Sequence, residues 1–143
     1  MNVSAILRQK GRAVTTAHPD TPLVEIANKL AAKRIGAIVV DGAGGEICGI
    51  VSERDVIRAL ATSGASSLKE PVAQTMTRQV VTCLETDTLD ELMAMMTARR
   101  FRHLPVVTDG ALVGIVSIGD VVKAAMDQLQ FERDQLDNYV HQT

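Results

Sequence analysis

Two strings in this chain nearly repeat one another. Residues 49–59 read GIVSERDVIRA and residues 114–124 read GIVSIGDVVKA, an offset of 65 residues (114 − 49). Weaker matches extend the repeat upstream: Val14-Thr15 with Val81-Thr82, Asp20-Thr21 with Asp87-Thr88, and Glu25-Ile26 with Glu91-Leu92. Even the lead-in segments correspond, residues 3–7 with 72–76. A chain of 143 residues therefore holds two copies of one supersecondary unit, and whatever fold is chosen must be built twice.

Each copy has the same pattern of local signals. A short extended piece comes first (residues 13–16 or 80–83), then a turn at His18-Pro19-Asp20 or Glu85-Thr86-Asp87. A helix follows. Leu23, Ile26, Ala27 and Leu30 fall on one face, as do Leu89, Leu92, Met93 and Met96. Residues 37–40 and 104–107 read as a strand, and residues 47–51 and 112–116 as a second, joined by turns carrying Asp41-Gly42 and Asp109-Gly110. A last helix starts after Ser52 or Ser117. The order is β-α-β-β-α, twice, a mixed α+β fold. Each unit covers only one face of its small sheet, so the two are expected to pack sheet to sheet with pseudo-twofold symmetry. Pro71 marks the junction. The division expected is 1–66 for the first unit with its lead-in segment, 67–126 for the second, and 127–143 for a C-terminal helical extension.

Composition excludes several functions. Net charge is −2, without the basic excess of a nucleic-acid or membrane-surface binder. No apolar run is long enough to span a bilayer and no signal peptide is visible, so a cytoplasmic location is expected. Cys48 and Cys83 have no partner at metal-ligand spacing and read as small buried hydrophobes, and no metal is expected. No nucleophile stands beside a plausible base. Residues 42–45, Gly-Ala-Gly-Gly, lie between two strands with no Lys-Ser or Lys-Thr after them, which fits a hairpin and not a phosphate loop. The chain is not expected to be an enzyme.

The double unit, with GIVSERD and GIVSIGD at matching ends and RHLPVV in the second copy, resembles a tandem pair of CBS domains, a Bateman module, over residues 1–126. The resemblance implies a stand-alone regulatory sensor that binds an adenosine-containing nucleotide (AMP, ATP or NAD class) in a cleft between its units and signals to a separate, unidentified protein. S-adenosylmethionine also stays open. By that resemblance Asp55 and Asp120 would hold the ribose. Their spacing from Ser52 and Ser117 equally suits a helix capping box, and the two roles are compatible. A helix start after a strand also offers free N–H groups to a phosphate, which a Ser hydroxyl can reach as well.

Arg102 and His103 are the candidate phosphate contacts of the second unit. Arg99 and Arg100 are better explained as helix C-terminal cations. The first unit has Gly36-Ala37 at the corresponding place, where glycine would let a purine approach the backbone, and it has Arg54 as a further phosphate candidate where the second has Gly119. The two sites are therefore chemically unequal. Val14, Thr15, Thr16, Val81 and Thr82 correspond to the segment that touches adenine in the family; Thr15 and Thr82 equally read as plain strand residues. In the C-terminal run, Val122, Met126, Leu129, Leu136 and Val140 form a heptad-like stripe interrupted by Arg133. Met126, Leu129, Leu136 and Val140 are candidate homodimer contacts; a helix folded back on its own domain is the alternative. A non-catalytic interaction module with vestigial nucleotide sites is the rival to the sensor.

Overall fold

The computed structural model describes residues 1–141. It contains five α-helices and two three-stranded sheets: α1 (Val3–Lys10), β1 (Thr16–Ala17), α2 (Leu23–Lys33), β2 (Ala37–Asp41), β3 (Ile47–Ser52), α3 (Glu53–Ser63), β4 (Cys83–Leu84), α4 (Leu89–Arg99), β5 (His103–Thr108), β6 (Ala111–Ser117) and α5 (Ile118–His141). The expected β-α-β-β-α order is present twice, in a mixed α+β fold.

The chain forms two compact units. One is Ala13–Val81; the other joins Met1–Arg12 to the chain from Thr82 onward. In the first, β1 pairs parallel with β2, and β2 antiparallel with β3. Its core is Leu23, Ile26 and Leu30 from the stripe of α2, with Ile38, Val40 and Val51 from the sheet and Val56 from α3. The other unit repeats this with β4, β5 and β6. Leu89, Leu92 and Met96 of α4 are buried, as are Leu104, Val106, Val116 and Val121, whereas Met93 stays exposed at the margin of its stripe. The β2–β3 turn is opened by Gly45 at φ 82°; the tighter β5–β6 turn places Asp109 and Gly110 at φ 52° and 79°, as a two-residue hairpin turn requires. The extended pieces condense into two-residue strands that begin later than the sequence suggests, at Thr16 and Cys83.

Sequence repeat and compact unit divide the chain differently. The lead-in segment of each repeat is built into the unit of the other. Val72 and Met76, from the approach to the second repeat, belong to the core of the first unit. There the Val72 N–H donates to the Thr21 carbonyl (2.8 Å) and the Leu23 N–H to the Glu70 carbonyl (2.9 Å). Val3 and Leu7, at the chain start, are fully buried in the unit of the second repeat. The Val3 N–H donates to the Asp87 carbonyl (2.9 Å) and the Leu89 N–H to the Met1 carbonyl (3.0 Å). A glycine in each third strand leaves room for this. A Cβ on Gly114 would stand 2.8 Å from Leu7 Cδ2, and one on Gly49 would stand 2.6 Å from Met76 Sδ. Thus α1 belongs with the second repeat, and the chain from Gly64 to Val81 with the first.

Candidate functional site

Both GIVS strings end a strand and start a helix. Ser52 is the N-cap of α3. Its backbone N–H donates to Asp55 Oδ2 (2.8 Å), its hydroxyl reaches the same oxygen (3.1 Å), and the Asp55 N–H donates back to Ser52 Oγ (3.3 Å). The arrangement recurs at α5: the Ser117 N–H donates to Asp120 Oδ2 (2.9 Å) and the Asp120 N–H to Ser117 Oγ (3.1 Å). The capping geometry expected from the spacing is therefore present in both copies. In each, one carboxylate oxygen is committed to the cap, and the acid is fixed beside the free N–H groups of the helix start.

The two carboxylates differ in their outer partners. Asp55, its side chain only 13% exposed, faces the Arg58 guanidinium at 3.5 Å. Asp120 receives the ammonium of Lys10 at 2.6 Å, and Lys10 Nζ also donates to the Ile115 carbonyl (2.8 Å). Burial works to raise the Asp120 carboxyl, but hydrogen bonds from Lys10 and Ser117 and the Lys10 charge outweigh it and hold the group below its ordinary range. Lys10 is a partner that the motif reading did not find. The only trace in the sequence is a basic residue ending the apolar pattern of residues 3–7.

The other candidates gather by unit. Ala37 is the register partner of Ser52, and the Gly36 carbonyl accepts the Glu53 N–H (3.1 Å), so Gly36, Ala37, Ser52 and Asp55 share one end of the sheet. Because β1 runs parallel to β2, with Thr16 opposite Val39, the residues before it (Val14 and Thr15) lie toward that same end. Thr15 accepts the Val39 N–H on its carbonyl (3.2 Å) and Lys33 Nζ on its hydroxyl (3.3 Å). Both contacts suit a strand residue. Arg54 is exposed on the first turn of α3. A groove of about 580 Å³ opens beside Asp55, lined by Arg58, Thr62, Ser66, Glu70 and Gln74.

In the other unit His103 is the register partner of Ser117, and the Arg102 carbonyl accepts the Ile118 N–H (2.8 Å). Arg102, His103, Ser117 and Asp120 are thereby brought to one sheet end. Arg102 also lines an open cleft with Gly119, Val122 and Met126. Thr82, with which this unit resumes, is half-buried just before β4, as is Val81, the last residue of the first unit. Arg99 closes the last turn of α4 and Arg100 caps it at φ 57°, as Arg34 does for α2 at φ 53°. These cations serve helix ends, in keeping with the sequence reading. Glu85 pairs with Arg12 and accepts the Thr108 hydroxyl (2.8 Å); the Arg12 bond first, then the Thr108 bond, hold its carboxyl below the usual range.

Neither cysteine is disulfide-bonded. Burial first, then the Asp87 carboxylate, push the Cys83 thiol up to about 12, so it stays protonated and inert at neutral pH. Among the described residues no group of three or more His, Cys, Asp or Glu side chains could hold a metal ion. No helix among them is long and apolar enough to cross a membrane. Beyond Ala125 the large apolar side chains of α5 are exposed: Met126, Leu129, Leu136 and Val140 are each 64–66% exposed, with Phe131 and Tyr139 beside them.

A family model for the CBS domain matches residues 5–62 and again 72–127. Among solved structures, the CBS-domain containing protein ATU1752 from Agrobacterium tumefaciens is 49% identical, with a TM-score of 0.84 over 87% of this chain and 92% of that one. The CBS domain protein PAE2072 from Pyrobaculum aerophilum, complexed with AMP, is 29% identical with a TM-score of 0.75, covering 84% of this chain and 89% of that one. The CBS domain pair of protein MJ0100, in complex with 5′-methylthioadenosine and S-adenosyl-L-methionine, is 26% identical with a TM-score of 0.80, covering 90% and 98%. Two matched domains, on two copies of one sheet-and-helix unit, show that this chain belongs to the CBS-domain family.

Proposed function

We propose that this protein is a regulatory sensor that binds an adenosine-containing nucleotide of the AMP, ATP or NAD class and passes the signal to a separate protein. The observation that carries the reading is the paired frame: a serine-capped helix start holding an Asp carboxylate, once per unit, beside Arg102 and His103 in one and Gly36 and Arg54 in the other. Asp55 and Asp120 would each offer a carboxylate oxygen to a ribose diol, and the helix N–H groups and nearby basic residues would meet phosphate. The AMP complex of PAE2072 and the S-adenosyl-L-methionine complex of MJ0100 support the ligand class. CBS pairs are generally regulatory and non-catalytic. Ligand would act by its differential affinity for two packings of the module. Calorimetric titration of AMP, ATP and NAD into wild type, Asp55→Asn and Asp120→Asn tests the reading. Each Asn keeps a cap acceptor but loses the anion. Binding weakened about tenfold or more by one or both substitutions is expected; equal binding in all three proteins overturns the ribose assignment.

A second reading has its own observation. The uncovered apolar face of α5 (Met126, Leu129, Leu136 and Val140) suits a second copy of this chain, making the protein a dimerisation module. Sedimentation should find wild type as a dimer and a chain truncated after Asp127 as a monomer of its own reduced mass; a truncated chain that still sediments as a dimer rejects it.

A further inference from the structure

The charges along α5 distinguish the two directions in which a second copy could lie on its apolar face. We propose that two copies of this chain pair through α5 in antiparallel order, with Lys123 of each helix beside Asp137 of the other and the far end of each helix seated in the cleft at the start of its partner. This rests on the dimer reading of α5 above and adds the order and register of the pair.

From Leu129 to His141 every residue of α5 is exposed. A helix draws most of its stability from packing an amphipathic face. Here that face is Val122, Met126, Leu129, Leu136 and Val140, in alternating four- and three-residue steps with Arg133 at the one polar position. Where the helix starts, Val122 and Met126 line a cleft of about 600 Å³ whose charged residues are Arg102, Lys123 and Asp127, a net charge of +1. The far part of the helix, residues 129–140, holds Glu132, Asp134 and Asp137 against Arg133, a net charge of −2. Basic cleft and acidic end meet only if the helices run in opposite directions. Parallel order would set Arg133 against its own copy in the seam and Glu132 of each helix beside Asp137 of the other, a like-charge pair on both flanks. Antiparallel order sets Val122 across from Val140, Met126 from Leu136 and Leu129 from Arg133. The same register brings Lys123 across from Asp137 twice. It leaves one like-charge contact, Glu132 with its copy, within reach of both Arg133 guanidinium groups. Lys123 can turn to the new partner, since its contact with Asp127 in its own helix spans 3.8 Å and its side chain is 76% exposed.

Oxidative cross-linking tests the order, in a Cys48→Ser background that leaves only the buried, protonated Cys83. Met126→Cys and Leu136→Cys are oxidised separately and as a mixture. In antiparallel order the mixture gives a disulfide-linked dimer and neither variant alone does, because each new cysteine lies about 15 Å along the seam from its own copy. In parallel order each variant links alone. Sedimentation equilibrium of Lys123→Glu, Asp137→Lys and the double variant tests the charges, on exposed positions that the fold does not need. Each single reversal should weaken the dimer about five- to tenfold, and the double reversal should return it close to wild type. If wild type is a dimer but each cysteine variant links alone, the mixture gives no linked dimer, or the double reversal is no stronger than the single ones, the antiparallel order is overturned while the dimer reading stands. If wild type is a monomer, or its dimer survives truncation after Asp127, both fall.

Discussion

The unit holding Asp55 and the unit holding Asp120 start from nearly the same eleven letters and end in different electrostatic surroundings. Their strands, caps and helix starts superpose in kind: Ser52 with Asp55 and Ser117 with Asp120 make the same reciprocal bonds. What differs arrives from elsewhere in the chain. A lead-in helix brings Lys10 onto one carboxylate, whereas the matching position of the other lead-in segment is Gln79, which carries no charge. A duplicated frame can thus keep its geometry while its two sites diverge, because the cap is local in both, whereas the cation on Asp55 is three residues away and the one on Asp120 comes from 110 residues away.

The largest expected effect breaks the symmetry of the two lead-in contacts. Gly49→Ala would place a Cβ 2.6 Å from Met76 Sδ and 2.9 Å from the Thr77 carbonyl oxygen, which is itself held by the Ile50 N–H. Gly114→Ala meets only the end of the Leu7 side chain, at 2.8 Å from Cδ2. Denaturant unfolding should show Gly49→Ala costing about 3 kcal/mol and Gly114→Ala about 1–2 kcal/mol, since a methyl tip yields more readily than backbone. Equal losses would mean that the two lead-in segments are gripped alike.

A smaller effect should preserve the symmetry. Ser52→Ala and Ser117→Ala each remove one side-chain cap acceptor and should each cost about 1 kcal/mol in the same measurement. A loss confined to one of them would show that the caps are not equivalent in strength, despite their matched bonds.

The smallest effect concerns acid. The Asp120 carboxyl is held below its ordinary value of 3.8 in the folded protein. Its contribution to stability is therefore complete above that value and is lost as pH falls through the lower folded one. Lys10→Gln removes the ammonium, brings the folded value back toward 3.8, and shrinks this contribution. Thermal melts between about pH 5 and pH 2 should then fall less steeply for Lys10→Gln than for wild type. Parallel curves would show that Lys10 does not set the carboxylate's titration.

Much of this protein was legible in its letters, for a physical reason. Helix stripes, strand alternation and Ser-x-x-Asp caps are interactions among residues a few positions apart, so they leave a period or a spacing that can be read directly. The β-α-β-β-α order, the cap pairs at Ser52 and Ser117, and the helix-end role of Arg99 and Arg100 are all of this kind. The grouping of His103 with Ser117 was not of this kind: the two-residue turn at Asp109-Gly110 alone would set His103 opposite Val116, and a register shift between Val106 and Val107 brings it opposite Ser117.

The chain by itself determined that there are two copies of one unit, where the two helices of the β-α-β-β-α order begin in each, and that the two copies carry unequal charges near their helix starts; the lead-in helix α1 was not read from it. Tertiary structure decided which segment completes which copy. Leu7 fits over Gly114 and Met76 over Gly49, and both choices depend on the volume left between a strand and a lead-in segment distant in sequence. The Lys10–Asp120 pair, 110 residues apart, follows from that docking. A contact of that span has no periodicity to announce it, since only the packed core brings the two charges within reach.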